Sequence, residues 1–276
     1  DSPPKSLIQP LIENIQSAGG EVMLGATVTR LEKQDSHWKV IVEDAIRGGM
    51  RSLPAKNIII ATDSPAAQRI LSNSKDTAPE ASKLNIPPAL RNAVVRMWFD
   101  ESPRGGTAGG MFTGDFVPDN FFWLHKLYED FSQWHDSTGG SAIEVHIYGT
   151  EELMNQTDNH LRILAVNDVQ HAFPKLKGHL IHSAIRRNIR THTLFRVPTA
   201  DSIHVDTPWA GIYACGDWIG HPTPSMWMER PTVTAIAAAN HVLHANDKEP
   251  YLIIPPKRPE ISAIVLGALV RALRLI

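Results

Sequence analysis

The spacing of apolar residues changes several times along the chain and predicts a mixture of helices and strands. A first helix is predicted over residues 6–18, and Gly19-Gly20 is expected to end it in a left-handed cap. The apolar positions of this helix recur at helical spacing: Leu7, Ile8, Leu11, Ile12 and Ile15. The chain therefore begins with an amphipathic helix that stops at a glycine turn.

Strand-like runs follow this helix. They cover residues 21–24 with 27–31, then 38–42, then 57–61, and the turn-rich residues 45–53 link the second run to the third. Ile58 to Ala61 is short, apolar and β-branched, which is typical of a strand buried on both faces. Asp63-Ser64-Pro65 then favours the start of a helix that residues 66–71 continue.

The composition changes between residues 84 and about 198. Strands with aromatic faces are predicted at residues 96–99, 120–124 and 142–148, and a further strand at residues 179–187. Residues 151–173 predict one long helix that Pro174 stops, and residues 104–114 form a glycine-rich loop. This segment is expected to form a separate sheet with helices.

A short strand, a turn and a helix then follow one another near the C-terminus. The apolar residues 212–215 stop at Gly216-Asp217, and eleven residues separate Asp217 from Glu229. Residues 231–243 again have helical spacing. This order places a carboxylate and a helix N-terminus at the carboxyl edge of a sheet, where α/β folds hold nucleotide cofactors.

These two pieces resemble the C-terminal flavin-binding signature of the FAD-dependent amine oxidoreductase superfamily, which includes flavin-containing amine oxidases and phytoene (carotenoid) desaturases. The family's strand ends in Ala-Gly-Asp, which reads Ala214-Cys215-Gly216-Asp217 here. Its helix begins with Met-Glu-Gly-Ala, which reads Met228-Glu229-Arg230-Pro231 here. Arg-Pro in place of Gly-Ala is a departure, but proline suits a first helical turn because an N–H there has no helical partner.

The N-terminal part resembles the same superfamily in Gly19-Gly20, Val28 and Ala61-Thr62, which follow the family's order. The resemblance implies an α/β (mixed α+β) fold: the C-terminal part of a FAD-binding Rossmann-like domain with an inserted antiparallel-sheet substrate domain. The implied segments are residues 1–83 (FAD-binding domain), 84–200 (substrate domain), 201–245 (C-terminal FAD-binding segment) and 246–276 (apolar tail helix).

The resemblance also implies FAD as the cofactor. The residues expected around it are Val28, Ala61, Thr62, Gly216, Asp217, Trp227, Met228, Glu229 and Arg230. Val28 would lie against the adenine, Gly216 would let the backbone approach the diphosphate, and Asp217 would accept a hydrogen bond from the ribityl chain. An ordinary strand-end turn is the alternative for Gly-Asp.

The start of the last helix has its own alternatives. Backbone N–H groups at residues 228–230 would face the flavin pyrimidine ring and stabilise negative charge there. Arg230 would add a positive charge or be a solvated surface residue, and Trp227 would wall the flavin or belong to the core.

The resemblance favours a desaturase or dehydrogenase that acts on a lipophilic, carotenoid-like polyisoprenoid by hydride transfer to flavin. Because the flavin carries such a reaction, the absence of an evident acid–base constellation fits it. A flavin amine oxidase is an alternative, with Trp218 and Trp227 as candidate aromatic walls of an amine cage. A non-catalytic, membrane-associated binding protein that has lost FAD is another.

The length, composition and charge of the chain restrict its domain number, its partners and its compartment. The 276 residues are 42% hydrophobic and 20% charged, which suits one large or two ordinary folded domains, and a net charge of −2 gives no electrostatic case for nucleic acid. The single cysteine, Cys215, excludes an internal disulfide, and no signal peptide opens the chain, so a cytoplasmic protein is predicted. The chain begins without Met and lacks the family's glycine-rich dinucleotide fingerprint, so we expect it to be the C-terminal part of a longer protein.

The tail and the histidines complete the expectations. Residues 261–276 are apolar apart from Ser262, Arg271 and Arg274, and are shorter than the roughly 20 residues that span a bilayer. They fit peripheral membrane contact, or docking on another part of the protein.

The tightest histidine pair, His179 and His182, would point to opposite faces of a strand, so no metal site is predicted. His221 is a candidate for a local role in the flavin loop.

Overall fold

The computed structural model describes residues 7–103, 106–193, 199–222, 225, 228–254 and 260–273, with the side chains of residues 189–192 outside this description. The described strands are β1 (Ala26–Lys33), β2 (Trp38–Asp44), β3 (Met50–Ala55), β4 (Ile58–Ile60), β5 (Ala89–Phe99), β6 (Gly109–Met111), β7 (Asn120–Trp123), β8 (Ser141–Ile147), β9 (Leu180–Thr193) and β10 (Ile212–Ala214). The described α-helices are α1 (Gln9–Ser17), α2 (Ser64–Ser72), α3 (Ala78–Ala81), α4 (Glu129–Thr138), α5 (Glu151–Met154), α6 (Asp158–Ala172), α7 (Glu229–His244) and α8 (Ile261–Leu273).

The glycine pair after α1 forms the expected cap. Gly19 has φ +83°, in the left-handed region. The Gly20 N–H donates to the Ile15 carbonyl at 2.8 Å, and the Gly19 N–H donates to the Gln16 carbonyl at 3.0 Å. These two bonds satisfy carbonyls that the helix end leaves open, so the predicted stop is confirmed.

Strands β1, β2 and β3 form an antiparallel meander, and two details of the sequence interpretation are wrong here. Residues 21–24 form no strand, because the chain turns at Gly25 (φ +67°) and pairing with β2 begins only at Ala26. The segment 45–53 is more than a linker, because β3 begins at Met50 and pairs with β2. The glycines and charged residues of this segment favour a turn, whereas β3 is a strand whose side chains alternate between exposed and partly buried.

Strands β4 and β10 form a separate parallel pair in which Ile58 lies opposite Ile212 and Ile60 opposite Ala214. The prediction that β4 is buried on both faces is wrong, since Ile59 is 39% exposed while Ile60 is buried. Successive strand residues point to opposite faces, and Ile60 rather than Ile59 belongs to the core cluster. After β4, Asp63 caps α2 by accepting the Ala66 N–H at 2.7 Å, as the sequence predicts.

The larger sheet is antiparallel in the order β6-β7-β8-β5-β9. Its β6 strand lies inside the segment predicted as a glycine-rich loop, of which residues 104–105 are outside the described residues. The predicted long helix is two helices, α5 and α6, because Thr157 caps α6 by accepting the His160 N–H at 3.2 Å. Pro174 then begins a short 3₁₀ turn, as expected for a stop signal.

Two clusters of buried residues lie in different parts of the chain. One combines residues from β1, β2, β4, α2, β10 and α7. The other combines β5, β7 and β8 with α5 and α6. The domain boundaries at residues 84 and 200 stay a prediction, but the chain leaves one core and returns to it.

Helix α7 begins at Glu229, two residues before its predicted start, and Pro231 lies in its first turn. Helix α8 exposes its large apolar side chains, from 42% for Val270 to 81% for Ile261. Among the described residues, no helix combines the length and hydrophobicity that crossing a membrane requires.

Candidate functional site

The parallel strands β4 and β10 end side by side. The Cys215 N–H donates to the Ile60 carbonyl at 3.0 Å, which continues the pairing by one residue. Because the two strands are parallel, both carboxyl ends lie at the same edge, and Ala61-Thr62 emerges next to Gly216-Asp217. The structure thus brings together four residues that the sequence interpretation placed at one site.

Trp218 connects these two strand ends. Its Nε1 donates to the Thr62 carbonyl at 2.8 Å, and its side chain is 5% exposed in the core. Gly216 has φ +144°, and a Cβ added there would lie 2.7 Å from Trp218 Nε1. The turn therefore requires glycine. The burial of the indole disfavours the candidate role of Trp218 in an amine cage, which stays a prediction.

Asp217 joins the turn to the larger sheet. Its Oδ1 accepts the Thr193 hydroxyl at 2.7 Å, and Thr193 is 2% exposed at the end of β9. The Asp217 side chain itself is only partly buried. Sequence reasoning missed Thr193, because the bond joins two distant segments and nothing local marks it.

Arg230 is buried at 9% exposure, so the surface alternative for it is wrong. Its Nε donates to the Ser225 carbonyl at 3.0 Å and its Nη1 donates to the Ile219 carbonyl at 3.0 Å. Burial lowers the pKa of the guanidinium, and the nearby Asp217 carboxylate opposes that shift. Arg230 therefore keeps its charge and ties the loop between the turn and α7 to the start of that helix.

The start of α7 packs against the turn. The Gly216 N–H donates to Thr234 Oγ1 at 3.0 Å. Met228 is 72% exposed at the N-cap position, Glu229 is exposed, and no side chain among the described residues caps the helix. Within the described part of the chain, the first N–H groups of α7 thus have no side-chain cap of the kind that such groups commonly have. Trp227 lies outside the described residues.

The other predicted residues differ in their surroundings. Ala61 and Thr62 are exposed. Val28 is half-buried against the core cluster that contains Ile60, at the point where the ladder between β1 and β2 shifts register. Contact of any of these residues with a cofactor stays a prediction.

Cys215 and His221 flank the turn, and burial shifts the pKa of each side chain. Burial raises the pKa of the Cys215 thiol, which disfavours the thiolate. Burial, followed by the charges of Arg230 and His204, lowers the pKa of His221. Across the described ranges, no group of three or more His, Cys, Asp or Glu residues is placed to hold a metal ion.

Residues 1–243 match the model of the flavin containing amine oxidoreductase family. The chain belongs to this family. It is 24% identical over 151 residues to a carotenoid phi-ring synthase from Chlorobaculum tepidum, covering 54% of this chain and 23% of that protein.

Solved structures with the same fold include an oxidoreductase from Methanosarcina mazei (TM-score 0.61, 16% identity, 85% of this chain and 53% of that one). Another is the cyclohexylamine oxidase of Brevibacterium oxydans IH-35A (TM-score 0.55, 15% identity, 80% and 48%). The chain spans about half the length of these solved relatives and 23% of the curated one.

Family membership implies a flavin, and the residues present fit one. Gly216 leaves its backbone without a side chain at a position that a Cβ could not occupy. Beside it lie a partly exposed carboxylate, an exposed strand end and a helix start that no described side chain caps. Such a combination suits a ligand that has hydroxyl donors and an anionic part.

Proposed function

We propose that this chain is part of an FAD-dependent oxidoreductase that desaturates a lipophilic, carotenoid-like polyisoprenoid by hydride transfer to flavin. The observation that carries the proposal is the shared carboxyl edge of β4 and β10, where Gly216-Asp217 meets Ala61-Thr62. The similarity to a carotenoid phi-ring synthase supports the substrate class.

The residues of this edge have distinct tasks in the proposal. A bound FAD would supply the hydride acceptor. Asp217 would accept a ribityl hydroxyl, and the Thr193 hydroxyl bond to its Oδ1 would hold the carboxylate in place. The N–H groups at the start of α7 would stabilise negative charge on the bound cofactor, and Arg230 fixes that helix start from within the loop.

An amine substrate is the second candidate. The family is one of amine oxidoreductases, and a solved relative of the same fold is a cyclohexylamine oxidase. The burial of Trp218 disfavours one of the two aromatic residues that would support an amine cage. We therefore rank the polyisoprenoid first.

Substitution of Asp217 tests the cofactor site. In the protein expressed from its complete reading frame, Asp217→Ala is expected to lose a hydrogen bond of about 1–3 kcal/mol, which is about a 5- to 150-fold weaker Kd for FAD. Flavin absorbance after extensive dialysis measures the retention. Thr193→Val removes the structural bond but leaves the carboxylate, so it should retain far more flavin than Asp217→Ala.

The exposed Asp35, on the β1–β2 turn, provides a matched control. Asp35→Ala should leave flavin retention unchanged. Equal flavin occupancy in Asp217→Ala and in the unsubstituted protein would contradict the assignment. A protein without flavin, even after addition of FAD, would instead support the non-catalytic binding protein.

Anaerobic reduction distinguishes the two substrate classes. Mixing the oxidised holoenzyme with phytoene in detergent should bleach the flavin absorbance near ~450 nm, whereas cyclohexylamine should not. The reverse result would favour the amine oxidase.

Helix α8 carries a further part of the proposal, namely contact with a membrane surface. Its 13 residues are apolar around the whole helix except for Ser262 and Arg271. At about 1.5 Å per residue this helix is about 20 Å long, short of the roughly 30 Å hydrocarbon core. A helix too short to span the hydrocarbon core, with exposed apolar side chains and the basic Arg271 in its last turn, supports contact with the lipid interface, and a cytoplasmic protein attached in this way stays a prediction.

A further inference from the structure

Arg230 is a charged side chain that the protein encloses next to the candidate flavin site. It is only 9% exposed, a burial that arginine rarely has unless a charged partner accompanies it. Its Nε donates to the carbonyl and hydroxyl oxygens of Ser225, and its Nη1 donates to the Ile219 carbonyl. All three acceptors are uncharged. These hydrogen bonds therefore fix the guanidinium without neutralising it.

The carboxylate that lies nearest in charge to Arg230 is committed elsewhere. Asp217 is close enough to raise the pKa of the guanidinium, but its Oδ1 accepts the Thr193 hydroxyl at 2.7 Å. Arg230 Nη2 donates to no described residue, and it is not one of the fully buried atoms without a partner. Because a buried charge without a partner is costly, this geometry favours a further anionic group at the turn.

The positive charge of Arg230 acts beyond the atoms that it contacts. Burial, followed by the charges of Arg230 and His204, lowers the pKa of His221 in the neighbouring loop. Glu229, next to Arg230 in the chain, is exposed, so water screens its carboxylate more than the protein screens the buried guanidinium. The charge that the enclosed part of this turn experiences from Arg230 is therefore weakly opposed.

The start of α7 adds a charge of the same sign. Arg230 lies in the first turn of this helix, whose N-terminal N–H groups carry a partial positive charge. No side chain in the described part of the molecule caps these groups. The resemblance to flavoproteins places the pyrimidine ring of the flavin at this helix start. The buried guanidinium and the helix end would thus act on the same ring.

Reduction changes the charge of the flavin ring but not that of the rest of the cofactor. A hydride brings two electrons and one proton, so a flavin that accepts it gains one negative charge. The diphosphate of FAD carries the same charge before and after. A protein charge shifts an equilibrium only when it interacts differently with the two states. A cation that acts on the ring therefore favours reduction, whereas a cation that acts on the diphosphate does not.

We propose that Arg230 stabilises the negative charge that the bound flavin gains on reduction and thereby raises the reduction potential of the cofactor. This inference rests on the proposed function and assigns a residue that regulates the same site. Arg230 acts through its charge, and its bonds to the loop carbonyls keep that charge in place.

The size of the effect follows from the influence of one charge on a nearby ionisation. An opposite charge shifts such an equilibrium by about 1–3 logarithmic units. The exposed carboxylate of Glu229 and the partly exposed Asp217 reduce the effect, so we expect a value at the lower end. Removal of the charge should weaken the preference for reduced over oxidised flavin by about 10- to 100-fold. For a two-electron couple this is a fall of about 30–60 mV in potential.

The reduction potential of the bound flavin tests the proposal. The protein is expressed from its complete reading frame, loaded with FAD and reduced anaerobically with dithionite in equilibrium with a reference dye. Arg230→Gln should lower the potential by the amount given above. Arg230→Lys keeps the charge but loses the forked hydrogen bonds, so its preference for reduced flavin should stay within about threefold of the unsubstituted protein.

A second substitution leaves the guanidinium and its hydrogen bonds in place. His221 is partly buried, and Arg230 acts on its pKa. His221→Glu places a negative charge near the guanidinium and should lower the potential in the same direction as Arg230→Gln. His221→Gln is the uncharged reference for this substitution. This pair keeps the test decisive if Arg230→Gln does not fold.

Arg187 provides a control for the loss of hydrogen bonds alone. Its Nη1 donates to the Met154 carbonyl at 2.6 Å and its Nη2 donates to the Gln156 carbonyl at 2.5 Å. These bonds lie in the core of the larger sheet and its helices, away from the turn. Arg187→Gln should therefore lower stability in urea and leave the flavin potential unchanged.

Three results would overturn the inference while leaving the proposed function intact. They are equal potentials in Arg230→Gln, His221→Glu and the unsubstituted protein, an equal fall in Arg230→Lys and Arg230→Gln, and an equal loss of affinity for oxidised and reduced FAD in Arg230→Gln. The last result would assign the guanidinium to the diphosphate. An unsubstituted protein that binds no FAD would overturn the proposed function and this inference with it.

Discussion

Replacement of Gly216 by alanine tests whether the turn at the strand ends depends on close packing of Trp218. The added Cβ would lie 2.7 Å from Trp218 Nε1 and 2.9 Å from its Cδ1. The indole is rigid and buried, so it has to move. Its movement breaks the bond to the Thr62 carbonyl, which links the end of β10 to the end of β4.

Two effects lower the free energy of unfolding in Gly216→Ala. A non-glycine residue held at φ +144° is strained by about 1–3 kcal/mol. A broken hydrogen bond that leaves buried partners unpaired costs about another 1–3 kcal/mol. The expected loss in the free energy of unfolding is therefore about 2–6 kcal/mol, a large part of the roughly 5–15 kcal/mol that stabilises a typical domain.

Urea unfolding measures this loss, and the chain offers a matched control. Gly178 has φ +86°, and no atom lies within 4 Å of a Cβ added there. Gly178→Ala should therefore cost only the strain of about 1–2 kcal/mol. The difference between the two variants isolates the displacement of the indole.

A double substitution guards against a variant that fails to fold. In a Trp218→Phe background the Nε1 atom is absent, so Gly216→Ala should cost at least about 1 kcal/mol less than it does beside tryptophan. Strict additivity of the two substitutions, or equal costs for Gly216→Ala and Gly178→Ala, would refute the reasoning.

Three further predictions concern other parts of the chain. Arg230→Leu leaves the Ile219 and Ser225 carbonyls without their donor and should lower the free energy of unfolding by about 2–5 kcal/mol, measured in urea. Because Glu144 has a lowered pKa, its ionised form stabilises the folded protein above the ordinary glutamate pKa, and this stabilisation is lost as the pH falls through the lowered value. Glu144→Gln should therefore flatten the acidic side of a plot of the free energy of unfolding against pH. In α8, Leu266→Glu should weaken binding to phosphatidylserine vesicles by about 10- to 150-fold, since about 1.5–3 kcal/mol of apolar burial is lost. The control Met111→Glu, at another exposed apolar residue, should leave vesicle binding unchanged. If Leu266→Glu sediments with the vesicles as well as the unsubstituted protein does, α8 is a structural helix.

Local signals predicted helix ends better than helix continuity. The glycine pair after α1 and Asp63 before α2 act within a few residues, and both behave as expected. The prediction of one helix over residues 151–173 failed, because the apolar spacing continues past Thr157 while its hydroxyl forms a new cap. The local capping bond, rather than the apolar periodicity, decided where the helix begins.

At the candidate site, too, some features could be predicted from the sequence and others could not. The shared edge of β4 and β10 was predictable, since a buried strand followed by Gly-Asp has a known place in α/β folds. The bond from Thr193 to Asp217 was not, because its partners belong to separate segments.

The replacement of the family's Gly-Ala by Arg230-Pro231 affects both the packing of α7 and the charge of the site. The family's Gly-Ala has no side chain that could reach the preceding loop, whereas Arg230 reaches back to two carbonyls of that loop. Met228 itself provides no side-chain cap, and both this buried guanidinium and the bond from Gly216 to Thr234 hold the start of α7 against the turn. The same substitution that breaks the motif thus supplies a positive charge beside Asp217 and stabilises the helix start on which anion binding depends.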